Sequence, residues 1–126
     1  MFLLDTCVLI WLEQSQDKIP AKVMDVLVSP ENRIFVSIVS FWELGLKASV
    51  QFTEQFSLLE YEQGLRDKYG FELMNIQTEA CDQLRKLPDI HRDPFDRMLI
   101  AQSLVAGARL VTPDKLIRQY PLPILW

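Results

Sequence analysis

Cysteine is scarce in this chain: Cys7 and Cys81 are the only two, and they lie far apart. They form no C-x-x-C pair and no disulfide framework, so a reducing cytosol is the simplest compartment. Long apolar runs are missing too. Nothing approaches the roughly 20 residues that a membrane span needs. The N-terminus is apolar but contains Asp5 and has no leading positive charge, which makes a poor signal peptide. A soluble cytoplasmic protein with no membrane contact is the expectation. Positive charge is also short, with 13 Lys and Arg against 17 Asp and Glu, a net charge of −4. That gives no general electrostatic case for a polyanionic partner. It is compatible with one if a cluster of acids holds metal beside a local basic rim. Internal repeats, low-complexity segments and linkers are absent, so residues 1–126 are expected to form one domain.

What the chain does have is a set of short apolar runs that alternate with helical patterns. Phe2, Leu3 and Leu4 run into Asp5, as a strand buried on both faces of a parallel sheet would. Thr6 is a fair N-cap for a helix with Val8, Leu9 and Leu12 on one face. Pro20 suits the first turn of a second helix, striped by Val23, Met24, Leu27 and Val28. A turn over 29–32 leads to a second strand, Ile34, Phe35 and Val36. Ser37 caps a helix reaching about residue 50, with Glu43 in its second turn. Residues 53–69 read as one or two amphipathic helices, with Gly64 a weak point. A third strand falls within 71–76. Thr78 caps a helix striped by Ala80, Cys81, Leu84 and Leu87, and Pro88 stops it.

After a polar loop over 89–92, Asp93 and Pro94 open an apolar helix that Gly107 ends. Residues 109–112 form a fourth strand, Pro113 and Asp114 begin a short helix, and 122–126 suit a last strand. Strand–helix alternation predicts an α/β fold with a mainly parallel sheet.

Four acids then occupy comparable places. Asp5 follows the first strand, Glu43 lies in the helix after the second, Asp96 in the first turn of the apolar helix, and Asp114 after the fourth strand. Right-handed crossovers bring such connections to one edge of the sheet. Carboxylates without cysteine or histidine partners form a hard oxygen site suited to Mg²⁺ or Mn²⁺. One or two such ions activate water and stabilise phosphodiester hydrolysis. Each acid also has a plainer reading. Asp5 caps a helix, Glu43 faces solvent, Asp93 and Asp96 have capping-box spacing, and Asp114 favours a helix dipole.

Four segments carry a resemblance: Leu3-Leu4-Asp5-Thr6, the stretch from Ser37 through Glu43 to Leu44, the stretch from His91 through Asp93-Pro94-Phe95-Asp96-Arg97 to Gln102, and Leu110-Val111-Thr112-Pro113-Asp114. In order and spacing they resemble the PIN-domain family, more narrowly the VapC-type toxins of bacterial toxin–antitoxin pairs. The resemblance implies a PIN-like three-layer α/β/α sandwich around a central, mainly parallel five-stranded sheet. It implies a Mg²⁺- or Mn²⁺-dependent endoribonuclease acting on structured RNA such as transfer or ribosomal RNA. Asp5, Glu43 and Asp96 match the family's main metal-site acids, and Asp114 its more variable fourth. Thr112 would orient a ligand or water, with Thr6 and Ser40 weaker candidates for that role. A small VapB-like antitoxin and a homodimer are the implied partners. Phe41, Trp42 and the helices at 21–28 and 53–69 are candidate contact surfaces, and Trp42 reads equally as core.

Arg92, Arg97, Lys115 and Arg118 are basic residues near the expected site that suit phosphate contacts or simply solvated surface. Asp93 reads as a cap, His91 as a loop or supporting position, and Cys7 as packing. A haloacid-dehalogenase-like phosphatase would need an acid where Cys7 stands, and a receiver-type domain an acid pair near the first strand. A catalytically silent PIN-fold RNA- or protein-binding module would usually lack one of the acids. A nuclease acting on DNA stays open.

Overall fold

The computed structural model describes residues 1–51 and 57–126. Its centre is β1 (Phe2–Leu4), flanked on one side by β2 (Ile34–Ser37) and then β3 (Glu72–Met74), and on the other by β4 (Arg109–Val111) and then β5 (Ile124–Leu125). The strand order is β3-β2-β1-β4-β5, with every neighbouring pair parallel. Successive strands first add to one side of β1 and then, at β4, to the other. The reversal makes the crevice beyond the carboxyl ends of β1 and β4 the switch point of the sheet, where such folds place their sites.

Six α-helices among the described residues cover the sheet: α1 (Thr6–Gln14), α2 (Ala21–Val28), α3 (Ile38–Gln51), α4 (Leu58–Tyr69), α5 (Thr78–Lys86) and α6 (Pro94–Ala106). Leu3 and Leu4 are adjacent, so they point to opposite faces of the sheet. Leu4 joins Val8, Leu12, Val23, Leu27 and Leu65 in one core; Leu3 joins Leu99, Ile100, Leu110 and Ile117 in the other. Two cores on two faces give the three-layer α/β/α sandwich that the alternating pattern and the resemblance predict. No helix among the described residues is long and apolar enough to cross a membrane.

Several local expectations change. Thr6 is not the cap of α1. Asp5 takes the N-cap position without a capping side-chain bond, and Thr6 inside the helix shares a 2.8 Å hydrogen bond with Ser40 of α3. Thr78 is likewise the first helical residue, after Gln77. Cys81 and Val28 are exposed, so neither completes its stripe. Gly64 does not interrupt α4; the 53–56 part of the predicted 53–69 segment lies outside the described residues. Phe41 is core at 7% exposure, edge-on to Tyr61, whereas Trp42 is 60% exposed and meets Phe95. Neighbours on a helix face directions about 100° apart, and here Phe41 turns inward and Trp42 outward. After β4 the chain makes only a 3₁₀ turn, Ile117–Gln119.

Other expectations hold. Asp93 accepts from the Phe95 and Asp96 amides with Pro94 at the first helical position, and Gly107 ends α6 at φ 66°. Ser37 accepts from the Val39 amide at the start of α3 and donates to Gln102 of α6 at 2.6 Å.

Candidate metal centre

A cavity of about 420 Å³ opens at the switch point, and Asp5, Glu43, Asp93, Asp96 and Asp114 all line it. Asp5 is delivered by β1, rigidly, because its amide continues the β1–β4 ladder to the Val111 carbonyl at 3.0 Å. The pairing of Leu4 with Val111 brings Thr112 alongside, and the Thr112 hydroxyl donates to Asp5 Oδ2 at 2.5 Å. The same hydroxyl accepts from the Asp114 amide at 3.1 Å, so one threonine orients two of the acids. Glu43 is only 6% exposed, on the face of α3 that meets the sheet end. Asp96 sits in the first turn of α6, where the helix N-terminus favours negative charge. Asp114 Oδ1 accepts from the amides of Leu116 and Ile117, which forms the turn after β4.

Burial pushes the Asp5 carboxyl above its ordinary value, against hydrogen bonds from Thr112 and Cys7 that favour the charged form. Burial, with the charges of Asp5 and Asp93, pushes Asp96 up to about 7, against the pull of His91. Asp114 is more open. Burial raises it, but hydrogen bonds from His91 and two amides outweigh this and set it low. Two of the acids therefore hold their charge at a cost near neutral pH.

Glu43 shows what is wanting. Lys47, one turn along α3, donates to its Oε2 at 2.8 Å. Its Oε1 is buried and has no hydrogen-bond partner. A buried carboxylate oxygen without a partner, in a residue that shares a cavity with Asp5 and Asp96, whose carboxyls burial raises, belongs to a donor set that fits a divalent, oxygen-preferring cation.

The sequence did not assign Lys47 to the site, and it gave His91 only a loop or supporting position. Lys47 lines the cavity, and only its i, i+4 spacing from Glu43 signalled it. His91 Nε2 lies 3.0 Å from Asp96 Oδ2 and 3.1 Å from Asp114 Oδ2. Cys7 lines the cavity as a thiol; burial and the Asp5 charge raise its pKa, so it is no nucleophile. Arg97 departs from the phosphate-contact expectation. Its guanidinium donates to the Leu84, Pro88 and His91 carbonyls and to the Tyr120 hydroxyl, which spends its donors on the loop before α6. Arg92, Lys115 and Arg118 are exposed and do not line the cavity. Thr6 and Ser40 are buried and bond each other; Thr6 lines the cavity and Ser40 does not.

The chain matches the PIN domain over residues 2–122. A comparison with curated proteins gives no match. Among solved structures, the chain is similar to VapBC2 from Rickettsia felis bound to a DNA fragment from their promoter (16% identity, 99% of this chain and 96% of that one, TM-score 0.73). It is similar to DNA-bound VapBC from Salmonella typhimurium (18% identity, 98% and 96%, TM-score 0.70). It also resembles a toxin–antitoxin complex from Klebsiella pneumoniae (18% identity, 90% and 87%, TM-score 0.60). At these identities the likeness is one of fold.

Proposed function

The chain belongs to the PIN-domain family, whose general function is nuclease activity, and from that premise we propose that it is a metal-dependent endoribonuclease, the VapC-like toxin of a toxin–antitoxin pair. One observation carries the reading: four carboxylates from four separate segments converge on one cavity at the switch point of the sheet. Asp5, Glu43, Asp96 and Asp114 would hold Mg²⁺ or Mn²⁺, with Thr112 fixing the first and the last. When bound, the ion supplies Lewis acidity at phosphoryl oxygens and lowers the pKa of water.

The chain's own residues do the rest. Asp5, held by Thr112 and the β1–β4 ladder, gives the site a fixed floor. Glu43 contributes a buried oxygen that has no hydrogen-bond partner. Lys47, half exposed on the cavity wall, offers the positive charge for a phosphate of the RNA backbone, the role foreseen for Arg97. Leu44, Ile10 and Trp11 add apolar side chains to the cavity wall.

An antitoxin partner is supported by the toxin–antitoxin complexes among the structural neighbours, and by the exposed apolar residues Trp42, Leu46 and Leu59 on α3 and α4. The same reading makes the chain one functional unit, residues 1–126, acting as a cytoplasmic homodimer.

The test compares cleavage of structured RNA and of DNA by purified protein with Mg²⁺, with EDTA, and as Asp5→Asn and Asp96→Asn. We expect RNA cleavage with Mg²⁺ alone, and a loss of at least about 100-fold, some 2.7 kcal/mol, in the other three. Equal activity in all four overturns the reading. Cleavage confined to DNA replaces the substrate and keeps the site.

A further inference from the structure

His91, Asp96 and Asp114 bring one nitrogen and two oxygens within 4.8 Å of one another, a spacing that invites a His-carboxylate metal site. The hydrogen bonds argue otherwise. The Asp93 amide, always a donor, points at His91 Nδ1 at 3.1 Å, so Nδ1 accepts and carries no proton. A neutral ring without a proton on Nδ1 has one on Nε2. That N–H faces the two carboxylates, Asp96 Oδ2 at 3.0 Å and Asp114 Oδ2 at 3.1 Å. A ligating imidazole must present a bare nitrogen. Here one nitrogen bears hydrogen and the other is taken by an amide. His91 is also absent from the residues that line the cavity, while both of its carboxylate partners line it.

We infer that His91 is not a metal ligand but a positioning residue: an Nε2–H donor that ties Asp96 to Asp114 from behind the cavity. Its backbone supports the task. The His91 amide donates to the Tyr120 hydroxyl at 2.7 Å, and its carbonyl accepts from Arg97, which also reaches that hydroxyl. Ring, loop and α6 are thereby held in one register. The consequence for the ion is a site of oxygen donors alone, which favours Mg²⁺ or Mn²⁺ and gives no nitrogen to select zinc. This rests on the proposed metal site, but the state of the ring can be read without any metal.

The chain has one histidine, so its two ring nitrogens give one unambiguous set of signals in a long-range ¹H–¹⁵N correlation spectrum. The expected result is an Nε2–H, bare-Nδ1 ring in metal-free protein, unchanged on saturation with Mg²⁺. An Nδ1–H ring, or loss of the Nε2 proton when Mg²⁺ binds, overturns the inference. Calorimetry of His91→Ala and His91→Gln supplies the second arm. Alanine should weaken Mg²⁺ and Zn²⁺ binding alike, about 10–100-fold, and glutamine, which restores an N–H near the Nε2 position, should stay within about threefold of wild type. A loss confined to Zn²⁺, or Mg²⁺ binding unchanged by alanine, also overturns it. A wild-type protein that binds no divalent ion defeats the proposed function instead, while the metal-free spectrum still decides the ring.

Discussion

Thr112 is the side chain on which the geometry of the acids turns. It donates to Asp5 and accepts from the Asp114 amide, so replacing it disturbs two acids at once. Thr112→Val keeps the shape and removes both bonds. It should lower Mg²⁺ affinity about tenfold or more, with Thr112→Ser close to wild type, as calorimetry would report. A valine variant equal to wild type would mean that Asp5 needs no orienting partner. At this scale residue type and place led to Asp5 and Asp96, and the family resemblance to Thr112; the structure brings Thr112 onto Asp5 and the Asp114 amide. For His91 the sequence offered only a loop or supporting position, because the contacts of the ring depend on where a loop turns it. It misjudged Arg97, a surface cation by composition that three carbonyls and a hydroxyl claim for themselves.

Helix α6 carries the most information of any element. Asp93 caps it, Pro94 opens it, Asp96 lies in its first turn and Gly107 closes it in the left-handed region. Asp93→Ala should cost about 1 kcal/mol in urea denaturation through the lost cap. Gly107→Ala should cost about 1 kcal/mol purely through backbone strain, because an added Cβ meets nothing within 4 Å. An unchanged midpoint in either variant would contradict the cap assigned to it. These signals were legible because a cap is a local matter, written in three or four adjacent residues. Thr6 and Thr78 show the limit. Each has the right chemistry, but the residue before it already holds the cap position, and for Thr6 a buried bond to Ser40 decides the matter. The parallel alternation was legible from apolar runs; the order β3-β2-β1-β4-β5 comes from crossovers between distant segments and had no local signature.

The whole molecule holds a cost in its acids, and pH exposes it. Asp96 rises from an ordinary 3.8 to about 7 in the folded protein, and Asp5 is raised as well. Between those values the folded state binds more protons than the unfolded one, so stability falls as pH climbs through that window. Asp114, set low, acts in the opposite sense only below its ordinary range. Metal-free protein should therefore melt at a lower temperature at pH 7.5 than at pH 5, and Asp96→Asn should flatten that slope. Saturating Mg²⁺ should recover much of the loss, by binding the folded state alone. Calorimetric scans over pH check all three, and a melting temperature that rises from pH 5 to 7.5 would contradict the assignment.

Asp5, Glu43, Asp96 and Asp114 line one cavity and together would form one cation site, to which Glu43 brings a buried oxygen without a hydrogen-bond partner. Anomalous scattering from crystals grown with Mn²⁺ tests it most directly. A manganese peak is expected inside the cavity, in direct contact with carboxylate oxygens of Asp5 and Asp96 and out of contact with His91. A cavity without such a peak, or manganese bound only elsewhere on the molecule, would contradict it.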